Sequence, residues 1–225
     1  MTSETDLYKE KVKVFDLNGK FLGLQNRKKF YSEVRKEHRK TGKITRQVHT
    51  IRVFLMNSKG GIYLTKRSGL KKENKHLYDK TLGGHIRGDE SPEYTLLREC
   101  AEELGFPAAG LSDEEFGTAI SETDLQINGV FRKVETINNF QAHYKYVEGP
   151  IAIFPQITTI FIGFFDGHLN FKDGETSGIE IYYTDEIVEE IKNNPHKYSQ
   201  DVKVLLPKYL PEMKKLIKMV KSYQS

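Results

Sequence analysis

The sequence has one cysteine and no tryptophan among its 225 residues. A single cysteine excludes an internal disulfide bond and any cysteine-rich zinc site. The most apolar run, residues 157–165, is far shorter than the roughly 20 residues that a membrane-spanning helix needs. The first residues, MTSETDLYKEK, lack the apolar segment of a secretory signal. We therefore expect a cytoplasmic protein with no membrane partner.

Charge of one sign is not in large excess, because 35 lysines and arginines stand against 31 acidic residues. With 37% hydrophobic and 29% charged residues, the composition excludes disordered and collagen-like chains. The positive excess lies in residues 27–46, which hold nine basic residues and two glutamates. Such a segment attracts phosphate groups or forms a solvated helix face. Aromatic residues are scarce in it, so nucleic-acid binding is disfavoured.

Hydrophobic periodicity and turn signals predict strands and helices in one chain. The Asn18-Gly19 pair predicts a hairpin within residues 11–23, and a basic helix follows at 27–40. The other predicted strands are 49–56, 61–66, 151–154, 157–165 and 179–183, and the other predicted helices are 92–104, 185–192 and 201–221, the last broken by Pro207 and Pro211. This alternation predicts an α/β or α+β layered domain.

The predicted helix 92–104 carries three carboxylates on one face, at Glu99, Glu102 and Glu103. An apolar stripe at helical spacing is predicted to pack inward and comprises Leu97, Cys100, Ala101 and Leu104. Like charges this close favour a bound divalent cation, and ligation by oxygen alone favours Mg²⁺ or Mn²⁺ over zinc. A solvated acidic face is the alternative reading of the same pattern.

The residues around this helix fill a longer pattern, G-x5-E-x7-R-E-U-x-E-E-x-G-U, where U is a bulky apolar residue. Its eight specified positions span 23 residues and are Gly84, Glu90, Arg98, Glu99, Glu102, Glu103, Gly105 and Phe106. Cys100 occupies the first apolar slot, where we expect it to pack as a small hydrophobic group. The pattern resembles the Nudix box, and the match is complete.

The resemblance implies a Nudix fold, with a mixed β-sheet between helices. Ahead of it we expect the N-terminal β-hairpin and basic helix, residues 1–46, packed on a Nudix domain at 47–192. A C-terminal helical extension is expected at 193–225. The implied function is Mg²⁺- or Mn²⁺-dependent hydrolysis of a diphosphate linkage in a nucleotide or small phosphorylated metabolite. Homodimers are common in this superfamily, so a homodimer is one option.

By position in the box, the resemblance assigns the metal to the carboxylates of Glu99, Glu102 and Glu103 and to a backbone carbonyl of Gly83 or Gly84. The three glutamates and Arg98 form the expected catalytic set, with Arg98 orienting Glu99. Glu90 is expected to pair with Arg98 and brace the loop against the helix, which Gly105 ends.

Outside the box, the sequence resembles the isopentenyl-diphosphate isomerase-like branch of the superfamily. The similar segments include Asp16-x-Asn18-Gly19, Lys66-Arg67-Ser68, Tyr78-Asp79 and Gly83-Gly84-His85. The isomerase uses a cysteine just before the Gly-His pair and a glutamate on a later strand. Here residues 81–83 are Thr-Leu-Gly, and the later strand reads Phe154-Pro155-Gln156. We therefore expect a hydrolase rather than an isomerase.

Gln156 cannot act as a general base, which leaves open which group does. Glu99 and Glu103 are candidates within the box, and Glu148 and Glu175 are candidates outside it. The sequence leaves a further alternative, a catalytically silent Nudix module that binds a nucleotide or a protein.

Four basic or imidazole side chains complete the expected site. Arg67 and Lys72, after the second strand of the domain, are candidates for the substrate's phosphates, with a solvated loop as the alternative. His49 and His85 match positions that bind metal in the isomerase. A structural hydrogen-bonding role is equally open for both.

Overall fold

A ten-stranded mixed β-sheet organises the residues that the computed structural model describes, which are 10–146, 151–171 and 174–223. The strands are β1 Lys11–Asp16, β2 Phe21–Asn26, β3 Arg46–Met56, β4 Gly61–Arg67, β5 Tyr78–Asp79, β6 Leu82–His85, β7 Ala108–Leu111, β8 Gly129–Tyr144, β9 Ala152–Phe164 and β10 Thr176–Tyr183. The main strand order of the sheet is β10-β4-β3-β9-β8-β7.

Strand β3 lies at the centre and changes partners along its length. It pairs in parallel with β9 on one side. On its other side it pairs with β1 at Val14↔Val48, with β6 at Ile51↔Gly84 and with β4 at Met56. This arrangement places the Gly83-Gly84 segment directly beside the central strand.

Five helices cover the sheet in the described part of the chain. They are α1 Arg27–Thr41, α2 Pro92–Glu99, α3 Asp113–Glu122, α4 Ile187–Asn193 and α5 Gln200–Tyr223. The basic helix α1 begins where the Asn26 side chain accepts a hydrogen bond from the Lys29 N–H, and it ends at Gly42 with φ 69°. Asn26 and Gly42 are residue types that commonly cap the start and the end of a helix.

The two faces of β3 show how the layers form. Ile51, Val53 and Leu55 pack into a core with α2, whereas Phe54 and Met56 pack into a second core with α3, α4 and α5. Successive strand residues point to opposite faces, so one strand contributes to both cores. The predicted fold, a mixed sheet between helices, is confirmed.

The N-terminal hairpin and α1 form a third core against the sheet. Val12 and Val14 of β1 pack with Phe30 and Val34 of α1 and with Phe154 of β9. The sheet continues from β1 into β3 by hydrogen bonding. The boundaries after residues 46 and 192 remain predictions.

Two expectations about proline were wrong. Helix α5 continues through Pro207 and Pro211, because buried residues before and after them, including Leu206 and Met213, hold one face on the sheet. Likewise, β9 is one strand rather than two. Pro155 pairs with β8 just before the pairing of β9 with β3 begins, so its missing N–H leaves no sheet partner unsatisfied.

Among the described residues, none of the helices is both long enough and apolar enough to cross a membrane.

Candidate functional site

The helix that carries the three carboxylates ends in an unusual turn. Ser91 caps its start by accepting a hydrogen bond from the Tyr94 N–H, and Pro92 occupies the first turn. After Glu99 the chain widens into a π-helical turn, Cys100–Leu104. Gly105 closes the turn at φ 81°, and its N–H donates to the Cys100 carbonyl at 2.8 Å. Single π-helical turns are frequent at functional sites.

The apolar face of this helix differs from the predicted one. The buried apolar positions are Leu96, Cys100 and Leu104, at intervals of four residues. Leu97 is 45% exposed and Ala101 is exposed, so the predicted stripe was wrong at these two positions. Cys100 packs in the core as expected, and burial raises the pKa of its thiol well above the usual value.

The Glu90–Arg98 pair joins the loop to the helix. Arg98 donates from Nε to Glu90 Oε1 at 2.9 Å and from Nη2 to Oε2 at 3.1 Å. Glu90 also accepts from the Thr95 hydroxyl at 2.8 Å. Burial alone would raise the pKa of Glu90, but the hydrogen bonds from Arg98 and Thr95 hold it below the usual value. The pair is therefore a charged, geometrically defined brace.

Glu99 lies against the backbone of Gly84. A methyl group on Gly84 would lie 2.1 Å from Glu99 Oε1, so only glycine leaves room for this carboxylate. Arg98 Nη1 lies 2.9 Å from the same oxygen. Burial raises the pKa of Glu99, whereas the positive charge of Arg98 lowers it.

Glu102 stands apart from the other two carboxylates. Its side chain is 47% exposed and lies 3.2 Å from Arg98 Nη1 and 3.8 Å from Arg87 Nη1. Within residues 10–146, 151–171 and 174–223, no three His, Cys, Asp or Glu side chains are already gathered into a metal-binding group.

The donor chemistry nevertheless fits a hard divalent cation. All three side chains offer oxygen, the donor that Mg²⁺ and Mn²⁺ prefer. Burial raises the pKa of Glu99, so a positive charge beside it would stabilise the ionised carboxylate. The Gly84 backbone lies against this carboxylate.

A cavity of about 180 Å³ opens beside the same glycines, on the other face of β6 from α2. A methyl group on Gly83 would lie 2.7 Å from Lys80 Cε, on the cavity side, whereas one on Gly84 would meet Glu99. Gly83 and Gly84 line the cavity as well, so they join it to the carboxylates. Arg67 also lines the cavity, but Lys72 is exposed and does not.

His85 points into this cavity and is held by Tyr31. The Tyr31 hydroxyl lies 2.7 Å from His85 Nε2. Burial, followed by nearby arginines, lowers the pKa of His85 well below its usual value, and burial raises that of Tyr31. Tyr31 therefore shares a hydrogen bond with a neutral imidazole, which favours a structural role for His85.

Gln156 is fully engaged by its neighbours. Its Oε1 accepts from Arg52 Nη2 at 3.0 Å and from the Thr50 hydroxyl at 3.2 Å. Its Nε2 donates to the Tyr144 hydroxyl at 2.8 Å and more weakly to that of Tyr31 at 3.4 Å. The amide thus contacts three side chains that line the cavity, Thr50, Arg52 and Tyr144, and also contacts Tyr31.

His49 does not line the cavity with His85 and Gln156. Its Nε2 lies 2.9 Å from the Thr159 hydroxyl. Burial and the nearby Lys13 lower its pKa to about 4. His49 lies on the face of β3 that packs against α2, whereas the cavity is lined from the opposite face by Thr50 and Arg52. The structure therefore separates the two histidines.

The two candidate general bases outside the box are Glu148 and Glu175. Glu175 forms an ion pair with Lys71 at the cavity rim. Glu148 lies outside the described residues.

A buried chain of ion pairs along the cavity wall was missed by the sequence analysis. Arg52 pairs with Asp201 at 2.7 Å, Asp201 with Lys80 at 3.0 Å, Lys80 with Asp79 at 3.2 Å and Asp79 with Arg67 at 3.5 Å. Although burial opposes ionisation, Arg52 and Lys80 hold the pKa of Asp201 below its usual value. One signal was available, because Arg52 interrupts the apolar run of β3 and a charge there needs a partner.

Comparison with known proteins identifies the family to which this chain belongs. The family model of the NUDIX domain matches residues 46–202. A crystal structure of DR0079 from Deinococcus radiodurans is 17% identical, covers 88% of this chain and 98% of its own, and superposes with a TM-score of 0.60. A search of curated protein sequences found no match.

Two further solved structures are similar at lower scores. MutT protein from Methanosarcina mazei Go1 is 15% identical, with 76% and 94% of the two chains covered and a TM-score of 0.47. A bifunctional NMN adenylyltransferase/ADP ribose pyrophosphatase from Francisella tularensis is 16% identical, with 83% and 46% covered and a TM-score of 0.46. The family match confirms the resemblance to the Nudix superfamily.

Proposed function

Because this chain belongs to the Nudix domain family, we propose that it is a divalent-metal-dependent hydrolase of a diphosphate linkage. The observation that carries the proposal is the position of Glu99 against Gly84, beside the Glu90–Arg98 brace. These residues belong to a complete box, and Gly84 also lines a cavity of about 180 Å³.

Mg²⁺ or Mn²⁺ would be held by the carboxylates of Glu99, Glu102 and Glu103, with a backbone carbonyl of Gly83 or Gly84. When bound, the metal supplies a more acidic water and neutralises charge on the phosphate oxygens. Glu102 would exchange its contact with Arg98 for this role, which its exposed position allows.

The chain's own residues position the reacting groups. Arg98 fixes Glu99 from one side and Gly84 fixes it from the other. Hydrolysis forms a bond from the water oxygen to phosphorus and breaks the bridging P–O bond, and the proton passes to a carboxylate. Glu103 is our choice for that carboxylate, since it follows Glu99 by one helical turn within the box.

The test is hydrolysis of nucleoside di- and triphosphates, nucleotide sugars, sugar diphosphates and prenyl diphosphates, followed by ³¹P NMR of the products, with Mg²⁺, with Mn²⁺ and with EDTA. Turnover is expected only with metal, and Glu102→Gln and Glu103→Gln are expected to lower kcat by about 100-fold or more. Glu114→Gln, an exposed glutamate on α3, is the matched control. Full activity in both box variants would refute the metal site.

Two alternatives give different results in the same assay. An isomerase would convert isopentenyl diphosphate without releasing phosphate, and the engaged amide of Gln156 disfavours it. A silent binding module would bind metal and release nothing. A cytoplasmic location and a homodimer remain predictions.

A further inference from the structure

The loop of the box is held by a part of the chain that the family model does not match. The match begins at residue 46, and the N-terminal segment, which comprises β1, β2 and α1, precedes it. The Gly88 N–H donates to the Lys11 carbonyl at 2.9 Å, and Lys13 Nζ donates to the Glu90 carbonyl at 3.0 Å. Two residues of β1 therefore fix the loop that carries Glu90.

Helix α1 adds a side-chain contact to the same loop through Tyr31. The Tyr31 hydroxyl lies 2.7 Å from His85 Nε2. The Tyr31 ring stands edge-on to the rings of His85 and Phe154, with centroids 5.7 and 5.4 Å apart. Packing and a hydrogen bond together lock a side chain in one rotamer. Tyr31 therefore fixes the position of the His85 imidazole.

His85 contacts the box arginine through its backbone. Its carbonyl accepts a hydrogen bond from Arg98 Nη2 at 3.3 Å. The same guanidinium donates to Glu90 and lies 2.9 Å from Glu99 Oε1. The residue before His85 is Gly84, against which the Glu99 carboxylate lies. A shift of His85 would therefore move both groups that position Glu99.

We propose that Tyr31 is a positioning residue for the metal site: it holds His85, whose backbone keeps Arg98 and Gly84 in the places that orient Glu99. The N-terminal segment is thus a functional part of the site, although it lies outside the matched region. This inference rests on the proposed metal-dependent function and adds a residue to its machinery.

Tyr31→Phe tests the role of the hydroxyl, because it keeps the ring that packs against Phe154. Groups that orient metal ligands contribute about 10–100-fold to metal affinity or activity, and we expect the lower end of that range because Tyr31 acts through His85. Binding of Mn²⁺, measured by EPR of the free ion, is expected to weaken by about tenfold. At saturating metal, kcat is expected to fall by about tenfold with little change in KM, since Tyr31 is not among the described residues that line the cavity.

The Tyr31 hydroxyl also lies 3.4 Å from Gln156 Nε2, so a second route to the site has to be separated. Tyr144→Phe removes the shorter contact of Gln156, at 2.8 Å, without removing a contact to His85. It is expected to leave Mn²⁺ affinity unchanged, as is Tyr183→Phe, the control for loss of an exposed tyrosine hydroxyl. Equal weakening of Mn²⁺ binding by Tyr31→Phe and Tyr144→Phe would overturn the proposal.

A double-mutant cycle with His85→Ala tests whether Tyr31 acts through the imidazole. If it does, adding Tyr31→Phe to His85→Ala causes no further loss of Mn²⁺ affinity, whereas independent effects multiply. Multiplied losses would therefore refute the route through His85.

Hydrogen exchange in EDTA separates local positioning from general loss of structure. In Tyr31→Phe we expect faster exchange at the Ile86 and Gly88 amides, which bond to His49 and Lys11, and unchanged exchange in the rest of the protein. Faster exchange throughout the chain would show a structural role instead.

The two proposals fail in different ways. If the unmodified protein hydrolyses no diphosphate but Tyr31→Phe weakens Mn²⁺ binding, the hydrolase proposal fails and the positioning role stands. If hydrolysis occurs and Tyr31→Phe leaves Mn²⁺ affinity unchanged, the positioning role is refuted and the hydrolase proposal stands. Absence of Mn²⁺ binding by the unmodified protein would refute both.

Discussion

Replacing Gly84 with alanine tests whether the position of Glu99 governs activity. The new methyl group would lie 2.1 Å from Oε1, 2.5 Å from Cδ and 2.7 Å from Cγ of Glu99. Carbon atoms in contact pack at about 3.5–4.0 Å, so the carboxylate has to move by more than roughly 1 Å. A displacement of 1 Å in a catalytic group lowers rates by about 100-fold.

We therefore expect Gly84→Ala to lower kcat/KM by about 100-fold and to weaken metal binding, while the protein still folds. The backbone at Gly84 is an ordinary strand conformation paired with Ile51, which alanine adopts readily. The assay is metal-dependent phosphate release, accompanied by thermal unfolding. Gly117→Ala in α3 is the control, because nothing lies within 4 Å of the added methyl group. Activity of Gly84→Ala close to the unmodified protein would refute the reasoning.

Three further predictions concern stability and reactivity. Asp201→Asn leaves Arg52 buried without its main partner and should lower the free energy of unfolding by about 3–5 kcal/mol, measured by urea denaturation. Because the pKa of Asp201 is lowered in the fold, its ionised carboxylate stabilises the fold at pH values above the unfolded pKa of about 3.9. This stabilisation is lost as pH falls through the lower folded pKa. If the difference in free energy of unfolding between Asp201→Asn and the unmodified protein grew on acidification, that would contradict this reasoning. Glu90→Gln removes the charged brace to Arg98 and should lower the free energy of unfolding by about 2 kcal/mol. An unchanged free energy of unfolding in urea would contradict this prediction. Cys100 should react with a thiol reagent only after unfolding in guanidinium, since it is buried with a raised pKa; rapid reaction of the native protein would show that the site is open.

The box could be predicted from the sequence because its chemistry is local. Glu90 and Arg98 lie eight residues apart, and the loop–helix unit brings them together without help from distant strands. The hairpin at Asn18-Gly19 and the cap at Gly42 were predictable for the same reason. Short-range rules of turn and capping chemistry decide these features.

The cavity wall could not be predicted, since its members come from separate segments. Arg52 and Asp201 are 149 residues apart, and only the packing of α5 on the sheet brings them within 2.7 Å. Sequence spacing also misplaced Leu97 and Ala101, because a regular helical repeat equally allows the face of Leu96, Cys100 and Leu104, and packing on the sheet selects that face. In each case tertiary packing overrode the local pattern.

The most direct test of the central claim is hydrolysis in water labelled with ¹⁸O, followed by ³¹P NMR of the products. The substrates are the diphosphates of the panel given under the proposed function, incubated with Mg²⁺ and with EDTA. The account predicts that one phosphorus product gains ¹⁸O with Mg²⁺, that none does with EDTA, and that Glu103→Gln abolishes the label. Absence of label in every product, or the same labelling by Glu103→Gln, would contradict it.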